Sequence, residues 1–306
     1  LLFAPASGIR NPESGITPML QLSNSSLQVD LLDPADATDR ARQGTRYCWG
    51  GYVWQVTDPS VGPLLAGPEW PEPRPLPFNG QGLPESFRHA EFGTGRPLIL
   101  EDRRGFIIGV GDVAPDDGGE LAVTRPCDWT VTRSIDALEF CTSQAGLGYA
   151  CQLTRRISLA GRTLSSATAL ANTGSRPLPL HWFAHPFFAL TDRRLTCTLP
   201  ASWGMAVNVG FALESGNTIT FRRQFQHKDD GHFEQLLVGP HTPLRATVSH
   251  PRLAGLTFSS DFTPDHCPIW GNSNTWSIEP YLTTELAPGT RREFTLHYDF
   301  GAARSG

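Results

Sequence analysis

The chain is built from many short apolar stretches that are separated by turn-forming residues. Within most stretches apolar and polar residues alternate, which is typical of a strand with one buried face. Glycine, proline, asparagine and aspartate separate the stretches, whereas the helix-favouring lysine and glutamate are sparse. This pattern predicts strands at 105–111, 121–123, 129–131, 138–141, 149–159, 195–199, 205–209, 218–225, 233–238, 244–248, 256–258 and 293–298.

The first hundred residues carry a more irregular pattern. Residues 16–32 alternate around a turn-like Asn-Ser-Ser and predict a hairpin, and the polar residues 33–44 predict a loop with a short helical turn. Residues 45–56 predict a strand that two glycines interrupt, at a bulge or at a close ligand approach. Residues 62–97 are crowded with glycine and proline and predict a long loop. A loop of this length in a compact domain is more often functional than idle.

Length and composition narrow the fold class. The chain has 306 residues, which suffices for one large β domain, and it contains 30 glycines and 26 prolines. No shift in composition marks a boundary, so we expect a single domain over residues 1–306. The prediction is an all-β fold, in the form of a large antiparallel β-sandwich.

Charge and hydropathy exclude several classes of partner. The net charge is -5 and the pI is about 6.0, so there is no basic face for nucleic acid. The sequence contains no run of about 18 apolar residues, which is the length that a membrane-spanning helix requires. A small neutral or polar ligand fits this composition better.

The cysteines bear on the cellular compartment. Six of them are scattered without a CxxC pair, and a chain of this length folds without covalent links. We interpret them as free thiols of a cytoplasmic protein, although a disulfide across a hairpin between Cys141 and Cys151 stays open. The six are Cys48, Cys127, Cys141, Cys151, Cys197 and Cys267.

One aromatic run, residues 178–188, carries two histidines four positions apart. Its density of Leu, Trp and Phe predicts a buried or half-buried strand, which Pro186 ends or bends just after His185. On a helix, His181 and His185 would share a face and suit zinc, but the proline and the aromatics argue against a helix. A buried imidazole needs a partner or a chemical task, so His185 is either a core histidine with a satisfied ring or a reactive group in a cleft.

A second aromatic run, residues 268–281, repeats this arrangement with an acid. Glu279 ends an apolar strand and is followed at once by Pro280. A carboxylate in such a setting loses solvation, which raises its pKa toward the range of a useful base. An ion-paired or capping glutamate is the alternative. Together with His185, Glu279 predicts a proton-transfer pair.

These motifs, in their order and spacing, resemble one known family. Asn172-Thr173, Leu178-Pro179, His185-Pro186-Phe187-Phe188 and Ile278-Glu279-Pro280 look like the corresponding motifs of the aldose 1-epimerase (galactose mutarotase-like) family. The resemblance implies a β-supersandwich and the interconversion of the α and β anomers of a hexose or hexose derivative. It also implies that Glu279 is the general base and His185 the general acid, with no metal or cofactor.

Further residues are expected to bind a sugar. The resemblance points to His89, although the family's His-Gly motif reads Arg-His-Ala-Glu here, and it points less clearly to Asp230 or His232. Arg46 precedes the Gly-Gly pair, and a guanidinium can make bidentate contacts with hydroxyls or an anionic group. Trp270 offers an aromatic face for sugar C–H groups.

Other functions stay open at the level of sequence. A hexose-6-phosphate 1-epimerase would need an arginine cluster, for which Arg46, Arg88 and Arg96 are available. A glycoside-processing lyase or hydrolase would use the same groups on a larger substrate. A non-catalytic carbohydrate-binding protein shares the fold as well, but it has no need of a matched acid and base. The oligomeric state is not predicted.

Overall fold

The computed structural model describes residues 20–70, 80–87, 99–101 and 103–304. It is 53% strand and 3% helix, which confirms the all-β fold class. The helix, α1, is Ala37–Gln43. The first thirteen strands are β1 (Leu20–Ser23), β2 (Gln28–Leu31), β3 (Val53–Asp58), β4 (Gly62–Pro63), β5 (Glu85–Ser86), β6 (Ile99–Glu101), β7 (Arg104–Ile107), β8 (Gly111–Pro115), β9 (Leu121–Pro126), β10 (Thr130–Arg133), β11 (Ala137–Gly146), β12 (Tyr149–Ala160) and β13 (Thr163–Asn172). The others are β14 (Leu178–Ala184), β15 (Phe188–Ala189), β16 (Thr196–Thr198), β17 (Gly204–Met205), β18 (Phe211–Glu214), β19 (Thr218–Phe221), β20 (His232–Leu237), β21 (Arg245–Val248), β22 (Leu256–Ser260), β23 (Cys267–Gly271), β24 (Thr275–Ile278), β25 (Tyr281–Leu286) and β26 (Arg291–Phe300).

The described strands form five sheets in which neighbours pair antiparallel. The largest has ten strands in the order β10-β11-β12-β13-β26-β22-β21-β16-β19-β18. The smaller sheets are β15-β24-β23-β20-β17, β25-β14-β5, β1-β2-β3-β4 and β6-β7-β8-β9. The predicted antiparallel sandwich is therefore confirmed.

The largest of three hydrophobic clusters in the described chain lies between the ten-stranded sheet and the strands that carry the two aromatic runs. In β12 every second side chain from Cys151 to Leu159 is buried, as the alternation predicts. From the other side β14 contributes Trp182, whose ring centroid lies 4.5 Å from that of Phe294 on β26. Sheet and aromatic runs thus bury their apolar faces against each other.

The strand predicted at 45–56 is wrong in its first half. Residues 44–51 form turns, and the strand β3 begins only at Val53. Gly51 has a φ of 75°, in a region that favours glycine, and Gly50 lies so close to the indole of Trp129 that a Cβ would be 2.2 Å from it. The close approach expected at the Gly-Gly pair is therefore made by a partly buried tryptophan of the protein itself.

The chain crosses between sheets after β13, because β13 pairs with β12 and β26 while β14 pairs with β25 and β5. One further prediction requires correction. The strand predicted at 205–209 is reduced to β17. The side chain of Asn208 accepts hydrogen bonds from the backbone N–H groups of Gly210 and Phe211, and this turn ends the strand.

The cysteines and the hydropathy of the described chain add two facts. All six cysteines are free thiols, as predicted, and Cys141 on β11 lies opposite Thr154 rather than Cys151. The cellular compartment stays a prediction. Within the described part of the chain, no helix has both the length and the hydropathy needed to cross a bilayer.

Candidate active site

The two aromatic runs lie side by side in one antiparallel register. Phe183 on β14 lies opposite Tyr281 on β25, and farther along the same register Phe188 on β15 lies opposite Trp276 on β24. Between these two ladders the pairing is interrupted. The register places His185 directly opposite Glu279 within that interruption, which is how residues almost a hundred positions apart come to face each other.

The interruption follows from the two prolines predicted to end the strands. Pro186 and Pro280 have no N–H group to donate to a ladder. The neighbouring backbone groups bond elsewhere. The N–H of His185 donates to the carbonyl of Pro84 at 2.9 Å, and the N–H of Glu279 donates to that of Pro268, also at 2.9 Å. Both residues therefore have anchored backbones and side chains that project from a gap between strands.

The acid and the imidazole are in direct contact. The distance between Nε2 of His185 and Oε1 of Glu279 is 3.3 Å. His185 is 5% exposed and Glu279 is 4% exposed. Among the described residues, neither Nδ1 of His185 nor the buried hydroxyl of Tyr47 has a hydrogen-bond partner. Leaving such a polar atom unpaired costs about 1–3 kcal/mol, so the site holds buried polar groups that a ligand hydroxyl would satisfy.

Aromatic rings surround the pair. The ring of Phe187 stacks on the imidazole of His185 at a centroid distance of 4.4 Å. Three further rings have their centroids within 6.2–6.4 Å of that imidazole, namely Phe183, Trp270 and Tyr47. The acid and base are therefore buried among apolar rings, where electrostatic interactions are stronger than in water.

Burial shifts the two pKa values in opposite directions, because each charged form loses solvation. It raises the pKa of Glu279 to about 7, against the opposing influences of Arg46 and Ser277. It lowers the pKa of His185 well below its ordinary value, with the positive charge of Arg46 acting in the same direction. Between these two values the pair carries one proton, which the contact allows the two groups to share.

Arg46 is the charged residue whose field acts on both members of the pair. Its guanidinium carbon lies 5.2 Å from the ring centroid of Tyr47 and 5.9 Å from that of Phe183. The backbone carbonyl of Arg46 accepts a hydrogen bond from the hydroxyl of Ser86 on β5, at 2.6 Å. The half-buried side chain therefore lies beside the cleft predicted for the substrate.

A second buried ion pair lies on the core side of the site. Neither of its residues was predicted from the sequence to be functional. Glu85 on β5 pairs with Arg155 on β12, and both are almost completely buried. Glu85 also accepts hydrogen bonds from the hydroxyl of Ser166 at 2.6 Å and from the indole N–H of Trp182 at 3.1 Å. The available signal was the alternation of β12, in which Arg155 occupies an inward position between leucine and isoleucine.

Glu85 lies in the segment that holds the imidazole. Pro84, next to Glu85, accepts the hydrogen bond of the His185 N–H, and Gly82 accepts that of the Phe187 N–H at 2.8 Å. The carboxylate thus anchors the end of a short segment, residues 82–85, whose carbonyl groups position the backbone around His185.

Of the other residues predicted to bind a sugar, Trp270 lies beside the pair, whereas Asp230 and His232 make other contacts. Trp270 lies opposite Ser277, next to the pair. Asp230 forms two hydrogen bonds with Arg223, at 2.6 and 2.8 Å, which hold its pKa at about 2. His232 lies opposite Gly271, so its side chain is on the other face of the sheet from Trp270, with its ring 5.6 Å from that of Phe211. We therefore do not include Asp230 or His232 in the proposed site.

Three of the residues considered from the sequence lie outside the described residues, namely His89, Arg88 and Arg96. Within residues 20–70, 80–87, 99–101 and 103–304, no group of three or more His, Cys, Asp and Glu side chains is arranged to hold a metal ion.

Comparisons with known proteins identify similar structures but no close relative in sequence. No protein-family model matches the sequence, and no curated protein matches it. A galactose mutarotase related enzyme from Lactobacillus acidophilus superposes with a TM-score of 0.57 at 11% identity, covering 94% of this chain and 100% of that one. A galactose mutarotase-like protein from Lactobacillus casei gives 0.57 at 14% identity, covering 92% and 99%. A protein from Escherichia coli K12, described provisionally as an aldose 1-epimerase, gives 0.54 at 14% identity, covering 92% and 98%.

These similarities extend over almost the whole length of both chains, whereas the identities are too low to transfer an activity. They agree with the strand content and with the sandwich described above. This chain has the galactose mutarotase-like fold.

Proposed function

We propose that this protein is an aldose 1-epimerase-like enzyme, which interconverts the α and β anomers of a hexose or hexose derivative. The observation that carries the proposal is the buried contact of 3.3 Å between His185 and Glu279 in an aromatic cleft. In the reaction one proton leaves the anomeric hydroxyl while another reaches the ring oxygen. Both oxygens are bonded to the same carbon, so an acid and a base that lie next to each other suit this chemistry.

The proposed steps balance without any external reactant. Glu279 as a carboxylate removes the proton of O1, and His185 as an imidazolium donates a proton to the ring oxygen. The bond between C1 and the ring oxygen breaks and C1 becomes an aldehyde. Rotation about the C1–C2 bond followed by the reverse proton transfers closes the ring as the other anomer. The enzyme ends in its initial protonation state.

The electrostatics of the cleft support this cycle. Ring opening takes the pair from its charged arrangement, the less populated of the two in the free protein, to its neutral arrangement. Burial favours the neutral arrangement, as the raised pKa of Glu279 and the lowered pKa of His185 indicate. The cleft therefore stabilises the pair in the state that accompanies the open-chain sugar.

The test is the rate of mutarotation of freshly dissolved α-glucose, α-galactose and α-glucose 6-phosphate, followed by polarimetry or proton NMR. We expect the wild type to accelerate at least one of them. Glu279→Gln and His185→Asn should each lower turnover by about two to four orders of magnitude, as expected for loss of a general base or acid.

Two variants serve as matched controls. Glu285→Gln makes the same change at an exposed position of β25, and His241→Asn does so in an exposed turn whose φ of 53° suits asparagine. Both should keep wild-type rates.

The outcome with glucose 6-phosphate distinguishes two kinds of epimerase. If it is the best substrate, the result would favour a hexose-6-phosphate epimerase with Arg46 near the anion. Acceleration that survives in Glu279→Gln would exclude the proposed base.

A further inference from the structure

The five-stranded sheet continues beyond the cleft on the face that carries the proposed site. Residues opposite each other in an antiparallel pair share a face, as do alternate residues along a strand. Glu279 shares its face with Ser277, which lies opposite Trp270, which in turn lies opposite Phe233 on β20. Phe233 is therefore on the same face as the acid–base pair, two strands away from it.

This face of β20 is open and mostly uncharged. It carries Phe233, Gln235 and Leu237, and we call these three residues the shelf. Phe233 is 47% exposed and Leu237 is 59% exposed. Leu236, which lies between Gln235 and Leu237 in the strand, points the other way and is buried in the core, as this orientation of the strand requires. Opposite Leu237 stands Gly204 on β17, so no side chain covers the end of the shelf.

The chemistry of the shelf matches a pyranose ring. Exposed aromatic and aliphatic groups offer apolar area to the C–H faces of a sugar, and an amide offers both donors and acceptors to its hydroxyls. The shelf is continuous with Trp270, whose ring centroid lies 6.2 Å from that of His185. A ligand that places its anomeric carbon at the pair can therefore extend across Trp270 onto Phe233.

We propose that the shelf is a second sugar subsite, so that the preferred substrate is a reducing oligosaccharide whose terminal hexose is epimerised at the acid–base pair. This inference rests on the proposed function, since it takes His185 and Glu279 as the place of the reducing end. The sugar unit attached to that hexose occupies the shelf and stacks on Phe233, while Gln235 bonds its hydroxyls. The chemistry at C1 is the same for the hexose alone and for the oligosaccharide, so the subsite acts on substrate choice.

The experiment compares mutarotation of maltose with that of glucose, which has the same reducing unit without the second ring. If galactose is the better hexose, galactobiose and galactose form the corresponding pair. We expect kcat/KM to be about tenfold higher for the disaccharide, since an aromatic stacking contact contributes up to about 1.5 kcal/mol. Phe233→Ala should remove most of this preference through KM and change the rate with the hexose by less than about twofold.

Ile135→Ala is the matched control, because Ile135 is 98% exposed in the turn between β10 and β11. It should leave both substrates unchanged. Equal rates for disaccharide and hexose in the wild type, or equal losses for both in Phe233→Ala, would overturn the subsite while leaving the epimerase intact. A change in sedimentation behaviour of Phe233→Ala with an unchanged substrate ratio would identify the shelf as a protein contact instead.

A binding measurement separates the two proposals. If neither sugar is epimerised, the proposed function fails. Calorimetric titration of wild type and Phe233→Ala with maltose and glucose then tests the shelf independently. Tighter binding of maltose that is lost in Phe233→Ala supports the subsite, and equal binding of both sugars to both proteins contradicts it.

Discussion

Two buried pairs of an acid and a base lie near the end of β14, one towards the core and one towards the cleft, and their hydrogen-bonding groups are satisfied to different degrees. On the core side, Arg155 donates to the carbonyl of Gly50 at 2.9 Å and to Ser166 at 2.7 Å in addition to its ion pair with Glu85. On the cleft side, Nδ1 of His185 has no hydrogen-bond partner within the described structure. A buried network that is complete rigidifies the fold, whereas one that is incomplete is available to a ligand.

The two pairs also differ in whether both partners can exchange protons. A guanidinium does not lose its proton in a protein, so Arg155 cannot take part in proton transfer with Glu85. His185 and Glu279 can both become neutral, and burial drives them in that direction. Only the second pair can therefore donate and accept protons near neutral pH.

The largest expected difference between the two pairs is in stability. Glu85→Gln leaves the charge of Arg155 buried and uncompensated, and we expect the free energy of unfolding to fall by about 3–5 kcal/mol. Glu279→Gln replaces a carboxyl group that burial favours in its neutral form, so its effect at pH 4.5, where the unfolded chain is also about half protonated at this position, should be below about 1 kcal/mol. Urea denaturation followed by tryptophan fluorescence measures both.

The double variant Glu85→Gln with Arg155→Met is the control for that measurement. It removes the orphaned charge and should recover most of the lost stability. If Glu85→Gln is as stable as the wild type, the pair on the core side does not act as an anchor.

A smaller difference should appear in the pH dependence of stability. The pKa of Glu279 in the folded state, about 7, lies above its value of about 4.5 in the unfolded chain. Stability from this group is therefore fully present below about pH 4.5 and is lost as the pH rises to about 7. Each pH unit in this window is worth about 1.4 kcal/mol, so relative to wild type Glu279→Gln should gain on the order of 3 kcal/mol between pH 4.5 and 8.

The measurement is a series of urea melts of wild type and Glu279→Gln across that range. His185 contributes in the opposite direction, because its folded pKa is lowered and its stability contribution is lost as the pH falls. It is present in both proteins, so the difference between them reports chiefly on Glu279. A difference that does not vary with pH would show that the Glu279 carboxyl is not perturbed.

The smallest expected effect concerns the pH profile of the rate. The active pair carries one proton, so kcat/KM should fall above about pH 7, where Glu279 loses that proton, and should persist on the acid side until well below the ordinary pKa of histidine. The charge of Arg46 lowers both pKa values. Arg46→Gln should therefore move the alkaline limb to higher pH.

Arg46→Lys keeps the charge and provides the control, since its alkaline limb should stay near pH 7 even if KM rises. The profiles are measured on whichever anomer the wild type accelerates most. An alkaline limb that is the same in wild type, Arg46→Gln and Arg46→Lys would mean that the field of Arg46 does not reach the pair.

The sequence was sufficient for the features that depend on local pattern. Alternation predicted most of the strands, and Pro186 correctly marked the end of β14 before His185. It was less reliable where a single residue alters the chain direction, as at Gly51 and Asn208. Turns of this kind depend on one backbone angle or one side-chain hydrogen bond, which a hydrophobic pattern does not record.

The candidate site divides in the same way. The two prolines and the aromatic density around His185 and Glu279 are visible in the sequence, and so is the charge of Arg46. Glu85 was visible only as one acid among others in a loop, because its importance arises from Arg155 on a distant strand. Asp230 and His232 were both predicted to bind a sugar. In the structure Asp230 is hydrogen-bonded to Arg223, and the side chain of His232 is on the other face of the sheet from Trp270.

By itself the sequence determined that this chain is an all-β protein with two buried residues at strand ends that can transfer protons. Burial and strand periodicity follow from the local pattern of apolar and polar residues, which the sequence shows directly. Only the tertiary structure decided that Nε2 of His185 lies 3.3 Å from Oε1 of Glu279, and that Phe233 is on the same face of the five-stranded sheet as this pair. Strand register settles both questions, since a shift of one residue would turn every side chain to the opposite face. Register is fixed by long-range pairing and core packing rather than by any segment alone.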